Sequence, residues 1–382
     1  MRLAVYSDYE YLQVGGMVFA ERAFAVFLAH LAPLFDRFTI VGRLGPATGK
    51  ARYPLGEHVD FVPLPYYSDL SQPGPVLKAT FGSARRFWKS LREVDCVWLF
   101  GPHPVALLFA FLALLRRRKV VLCVRQDLPE YVRGRRPGRP LLLASAWIME
   151  LAFRLLGRFC SVVAVGPTLT EHYRKSRRVL ELTVSLIDDE HIVAPESKDV
   201  SYDSELNILS VGRLDNEKNP LMLADVLAGL LEQDPRWRLI VCGEGPLQGE
   251  LSQRLRSFGI QDKAELLGYV SHEEGLAELY RNCQMLLHVS WTEGLPQVLY
   301  EAFAAALPVV ATDVGGVREA TGEAVTLIPA GEAEAAIEAL RELSADPGLR
   351  ERRLAAGHAL VKAATIDIEV ERVHEFIDPG RD

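Results

Sequence analysis

The feature that most constrains this chain is its alternation. Short apolar runs of strand type alternate with longer amphipathic runs of helical period, from one end to the other. Residues 2–6, 38–41, 59–64, 96–100, 120–124 and 161–165 read as strands in the first half. Residues 207–211, 237–242, 264–267, 285–289, 308–311 and 324–328 do so in the second. Helical patterns fall between them, at 19–34, 76–91, 105–115, 141–156, 220–233, 247–258, 273–282, 297–306 and 333–343. The strands are too apolar to face solvent on either side, which predicts an α/β protein with parallel sheets covered on both faces. In such a sheet, ligand groups project from the loops at the strand C-termini.

The alternation stops once. Residues 188–205, DDEHIVAPESKDVSYDSE, are polar and aperiodic. They divide the 382 residues into a first Rossmann-like domain at 1–190, a linker at 191–205, and a second Rossmann-like domain at 206–355. A charged helical tail at 356–382 would be free to pack back on the first. Charge follows this division. Residues 1–200 carry a net of +8 and residues 201–382 a net of −15, which suggests two domains with different partners, or weak attraction between lobes.

The five cysteines (Cys96, Cys123, Cys160, Cys242, Cys283) lie scattered in apolar runs without a CxxC pair. They read as reduced core residues of a cytoplasmic protein, not as disulfides or zinc ligands. The N-terminus lacks a signal-peptide apolar region. The longest apolar run, 105–115, is 11 residues, against the roughly 20 a spanning helix needs. The helix at 141–156 follows two cationic stretches, RRRK at 116–119 and RGRRPGR at 133–139. It is either an ordinary core helix or an interfacial face resting peripherally on anionic lipid at the inner side of a membrane. No nucleic-acid partner is expected.

The densest stretch is 285–316, MLLHVSWTEGLPQVLYEAFAAALPVVATDVGG. It reads as strand, turn, helix, strand. Glu293 stands just before the helix and Pro296 near its first position. Glu301 lies on the helix, roughly 7–8 Å further along its axis. The amides of Gly294 and Leu295 are free donors at a positive helix end, suited to a phosphate. Arg213 and Lys218 share one strand-terminal loop, placed to neutralise a diphosphate or simply to be solvated. Gly243 and Gly245, and then Gly268, Tyr269 and Val270, occupy two further loops of the same edge. In the first half Gly15 and Gly16 would let backbone approach a ligand at the first strand-to-helix turn. His103, Arg125 and Asp127 end two neighbouring strands and would point into the same crevice as the Gly15-Gly16 loop.

Together LSVGRLDNEKNP, LIVCGEGP, ELLGYVS and SWTEGLPQVLYEAFAAALPVVATDVGGVRE resemble the second domain of the retaining GT-B glycosyltransferases of family 4. The resemblance is specific over about 205–330 and includes the Glu293/Glu301 pair. Over 1–200 it rests on Gly15-Gly16 and the alternating pattern. It implies two Rossmann-like domains facing across a cleft, a nucleotide-sugar donor (UDP- or GDP-linked) and a glycan, lipid-linked or small-molecule acceptor. Arg213 and Lys218 would hold the diphosphate, and Gly243–Pro246 and Gly268–Val270 would frame the base. Glu301 would take the ribose hydroxyls. Glu293 with the Gly294 and Leu295 amides would take the sugar, and Gly16 would offer its amide from the first domain. The sequence has no Asp-x-Asp triplet, consistent with a metal-independent site without cofactor. There is one departure. Gln126 stands where the family often has a histidine before Asp127. His103 could substitute for it or be a plain loop residue. Arg125 could bind an anionic acceptor or the phosphates, or pair with Asp127. A non-catalytic GT-B partner and a sugar-nucleotide epimerase are the other classes the pattern admits.

Overall fold

A computed structural model of the chain describes residues 1–46, 53–67, 73–135, 138–197, 200–271 and 275–380. Arg136 of the basic loop and Glu273, the expected start of a helix, lie outside them. The chain divides into two units. The first comprises Met1–Val132, Gly138–Leu186 and Ile366–Asp382; the second comprises Arg133–Pro137 and Ile187–Thr365. The tail expected as one element at 356–382 is therefore split. Helix Pro347–Ala363 belongs to the second unit, and helix Ile366–Ile377 to the first.

In the first unit seven strands run parallel. Taken across the sheet they are Val59–Leu64, Arg37–Leu44, Arg2–Val14, Cys96–Gly101, Lys119–Val124, Ser161–Val165 and Arg178–Leu182. The middle strands are buried along almost their whole length, as in Cys96–Gly101 and Ser161–Val165. That burial is why they read as continuous apolar runs.

The first strand differs from its expectation. It continues past Tyr6 to Val14, with an irregularity in register between Tyr6 and Glu10. There it folds back into the antiparallel strand Met17–Ala20, with Val14 opposite Met17. Gly15 and Gly16 are the two turn residues, both at positive φ (+58° and +88°), as a two-residue hairpin turn demands. They stand at a hairpin tip, not at a strand-to-helix turn. Helix Phe24–Leu31 begins later than expected, because Phe19 is spent in the hairpin.

The second unit is a six-stranded, all-parallel sheet. Its order is Ala264–Gly268, Trp237–Cys242, Leu206–Val211, Met285–His288, Val309–Thr312, Val325–Ile328. The order reverses between Leu206–Val211 and Met285–His288, the switch point where such sheets bind ligands. Helix Leu221–Leu231 buries Met222, Leu223, Val226, Leu227 and Leu230 on one face, at helical spacing.

Candidate functional site

Four strands of the second sheet present loops at its C-terminal edge, and backbone hydrogen bonds stitch those loops together. The Gly212 amide donates to Cys242 O (2.9 Å) and the Gly243 amide to Gly268 O (2.7 Å). The Leu214 amide donates to Glu244 O (3.0 Å), and Leu247 N to Leu214 O (2.9 Å). A Cβ on Gly243 would sit 1.8 Å from Gly212 O, and one on Gly245 2.2 Å from Leu214 O. By resemblance these two glycines would frame a base. The structure shows that they also let the neighbouring loop approach, because chain-to-chain contact this close admits no side chain. Gly212 and Gly268 are the open positions, with nothing within 4 Å of an added Cβ.

At the switch point the chemistry is dense. Lys218, after the first strand of the sheet, forms an ion pair with Glu293, after the fourth. The Glu293 side chain is 8% exposed and that of Lys218 20%. The same carboxylate oxygen, Oε1, also meets His288 Nε2 at 2.8 Å, and Ser290 Oγ lies 3.1 Å from that nitrogen. Among the described residues Oε2 of Glu293 accepts no hydrogen bond. Burial pushes the Glu293 carboxyl upward, but Lys218 and His288, by charge and by hydrogen bond, pull it down harder. It stays ionised far below the usual carboxylate range. A small cavity opens beside this group, lined by Ser210–Leu214, Lys218 and His288–Ser290. Gly315 (φ +57°) packs against the Glu293 backbone, since an added Cβ there would lie 1.9 Å from the Glu293 carbonyl oxygen.

Arg213 lines the same cavity, but its charge is matched. Its two terminal nitrogens pair with Asp215 and Glu217, and the Trp291 amide donates to the Glu217 carbonyl at 2.8 Å. The two cations are thus not equivalent, as the sequence made them. Lys218 answers to one carboxylate and Arg213 to two others.

Helix Gln297–Ala304 begins after Pro296. Among the described residues the Gly294 and Leu295 amides ahead of it donate to no acceptor, which leaves two donors at a positive helix end. Glu301, further along, accepts a 2.7 Å hydrogen bond from the buried Tyr280 hydroxyl. Burial and the charge of Glu301 raise the Tyr280 phenol well above its ordinary range, so it remains a donor. Tyr269 is exposed and Val270 half-buried, just beyond strand Ala264–Gly268.

The first unit has its own cluster. Asp8 lies within the irregular part of the first strand and gathers donors from several elements. Tyr67 Oη donates to it at 2.6 Å, Tyr6 Oη at 3.2 Å, and Arg43 Nε lies 3.1 Å away. His103 Nε2 is 3.3 Å from its other oxygen. His103 also caps helix Pro104–Leu115, its Nδ1 accepting from the Val105 amide. Burial pulls its pKa below the ordinary histidine value, partly countered by Asp8.

Asp127 is elsewhere. It caps helix Leu128–Arg135 by accepting from the Glu130 amide at 3.0 Å and lies 3.3 Å from His172 Nδ1. The first contact is an N-cap. Arg125 does not pair with Asp127. Its guanidinium rests 5.1 Å from the Tyr9 ring centre and 4.9 Å from that of Phe24. Burial pushes its pKa down to about 10. Gln126 is exposed. His103, Arg125 and Asp127, expected to share one crevice, are thus divided among three settings. Tyr280 and His288 in the second unit, and Asp8 in the first unit's own cluster, are residues the sequence had not singled out.

Residues 196–358 match the family model described as Glycosyl transferases group 1. The match lies within the second unit. It is 31% identical over 173 residues to the GalNAc-alpha-(1->4)-GalNAc-alpha-(1->3)-diNAcBac-PP-undecaprenol alpha-1,4-N-acetyl-D-galactosaminyltransferase of Campylobacter jejuni, which covers 43% of this chain and 46% of that protein. It is 29% identical over 219 residues to the phosphatidylinositol N-acetylglucosaminyltransferase gpi3 subunit of Schizosaccharomyces pombe, covering 57% of this chain and 46% of the relative. The chain thus spans about half the length of these curated relatives. The Anabaena protein Alr3699/HepE, solved in complex with UDP, superposes with a TM-score of 0.75 at 17% identity, over 100% of both chains. The fold of the chain is that of the GT-B proteins.

Proposed function

We propose that this chain is a glycosyltransferase that moves a sugar from a nucleotide diphosphate to an acceptor, with retention of configuration and without a metal ion. One observation carries the reading. Lys218 and Glu293 meet at the switch point of the second sheet, beside the undonated amides of Gly294 and Leu295 and on the edge that carries Glu301. Lys218 and the helix start would hold the diphosphate. Oε2 of Glu293 would accept a hydroxyl of the sugar, and Glu301, fixed by Tyr280, would take the ribose. In the transfer, the bond from the anomeric carbon to the diphosphate breaks and a bond from the acceptor oxygen forms on the same face. The acceptor proton passes to a departing phosphate oxygen. Fixed positive charge stabilises the leaving group without reorganising. Arg213 would join it by exchanging Asp215 and Glu217 for phosphate oxygens.

The donor is a UDP- or GDP-sugar in this reading, in keeping with the UDP complex of the Anabaena neighbour. The acceptor is lipid-linked, in keeping with relatives whose names specify PP-undecaprenol and phosphatidylinositol. Arg125, free of any carboxylate partner among the described residues, would take the acceptor's anionic group. Transfer from radiolabelled donor tests the proposal. Glu293→Ala and Lys218→Met should each lower turnover by about a hundredfold or more while the fold is retained. Undiminished turnover in both would remove the reading. The exposed Gln126 favours a second one, a non-catalytic partner that binds sugar nucleotide for another subunit. Donor hydrolysis by the purified chain alone excludes that partner role.

A further inference from the structure

Helix Pro140–Gly157 is built the wrong way round for a helix that faces water. Its buried seam is Ala146, Glu150, Phe153 and Gly157. Its outward seam runs Leu141, Ala144, Ile148, Leu151, Leu155 at spacings of three and four, with Trp147 alongside, and every one of these is exposed. The only charged residues within it, Glu150 and Arg154, pair with each other at 2.9 Å on the inner side. A surface helix of a globular protein does the reverse. By length and composition it could cross a membrane, and a core helix passes the same test, but only 22% of it is buried. Neither case fits. Phe153 is wholly buried in the core of the first unit, so the helix lies on the sheet rather than through a bilayer.

The surroundings point one way. Helix Pro104–Leu115 packs beside it and exposes Phe111 and Leu115. Arg139 precedes the helix and Arg158 follows it, both exposed. We propose that the outward face of helix Pro140–Gly157, with Arg139 and Arg158 at its ends, docks the first unit on the surface of an anionic bilayer. An apolar stripe of this length, with cations at its ends, suits the boundary between acyl chains and anionic headgroups. Trp147 suits the same boundary, with an apolar ring and a polar N–H. A second copy of the chain suits it less. An antiparallel pairing of two such helices would set Arg139 of one copy against Arg158 of the other, cation against cation. The membrane face stands on its own observations and does not depend on the transfer reaction proposed above.

Flotation with phosphatidylcholine vesicles, with and without phosphatidylglycerol, tests this without any turnover. The full chain should float with the phosphatidylglycerol vesicles at low ionic strength and much less with phosphatidylcholine alone. Ile148→Glu with Leu151→Glu should lower the bound fraction about tenfold, since each places a charge where the acyl boundary would be. Both positions are exposed, so the melting temperature should not fall. If this pair unfolds, Arg139→Glu with Arg158→Glu keeps the test open and should weaken binding to the anionic vesicles. Wild-type chain that stays off anionic vesicles, or binds equally well in both double variants, overturns the proposal. So does a concentration-dependent dimer that the Ile148/Leu151 variant abolishes, which would assign the face to a second copy.

Discussion

The two units wind their strands alike, and each places a charged cluster between its first and fourth parallel strands. The clusters are built on opposite plans. In the second unit the charges divide into small separate sets, the Lys218–Glu293 pair and Arg213 with its two flanking carboxylates. In the first unit a single carboxylate, Asp8, is surrounded by Tyr6, Tyr67, Arg43 and His103. A one-to-one pair is fragile, because losing either member strands a buried charge. A many-to-one cluster is redundant. The fragile plan leaves each partner able to exchange its neighbour for a ligand of the same sign, which suits a site that binds and releases a charged group. The redundant plan suits a rigid floor.

The largest test of this contrast is Lys218→Met. It leaves Glu293 buried with His288 alone and should cost about 3–5 kcal/mol in urea unfolding. A cost below about 1 kcal/mol would mean the pair is screened like a surface bridge. Because the pair holds the Glu293 pKa down, its contribution is present above the ordinary carboxylate range and disappears only far into acid. Gly315→Ala should come next. It puts a methyl group against the Glu293 carbonyl at positive φ, costing about 2 kcal/mol and loosening the same pair. A crystal structure in which Glu293 has not shifted would show that the turn, not the pair, gives way.

In the first unit Tyr67→Phe should cost only about 0.5–1 kcal/mol, since Asp8 keeps Arg43, Tyr6 and His103. A loss as large as that of Lys218→Met would break the contrast. The smallest effect is the pH dependence carried by His103. Its pKa is lowered in the fold, so the unfolded chain binds the extra proton first. Stability should decline as pH falls from the ordinary histidine value of about 6.5 toward the folded one. His103→Gln should flatten that part of a stability–pH curve, and an unchanged slope would assign it to another group.

The fold was legible because burial on both faces writes each parallel strand as an unbroken apolar run. The site was legible where polar residues interrupt turns, as Glu293, Lys218 and Arg213 do. It was not legible where one polar side chain sits inside or at the end of an apolar run. His288 closes strand Met285–His288, all four residues of which are buried. Tyr280 reads as a core aromatic until its hydroxyl is seen on Glu301. Asp8 lies in a strand the sequence ended at Tyr6, because the irregularity before Glu10 breaks the alternation there. The outward seam of helix Pro140–Gly157 was visible as apolar residues, but its direction was not. A helical period is the same whichever side faces the sheet.

The return of helix Ile366–Ile377 to the first unit has a consequence in time. The Thr183 amide reaches a carboxylate on that helix, Glu369, 186 residues later in the chain, and Arg372 of the same helix donates to the Glu181 carbonyl. At the pace of ribosomal synthesis, the edge strand Arg178–Leu182 waits on the order of ten to forty seconds for this cover. Throughout that interval its open side can pair with another nascent chain. The domain that starts first is completed last, after the whole of the second sheet has emerged.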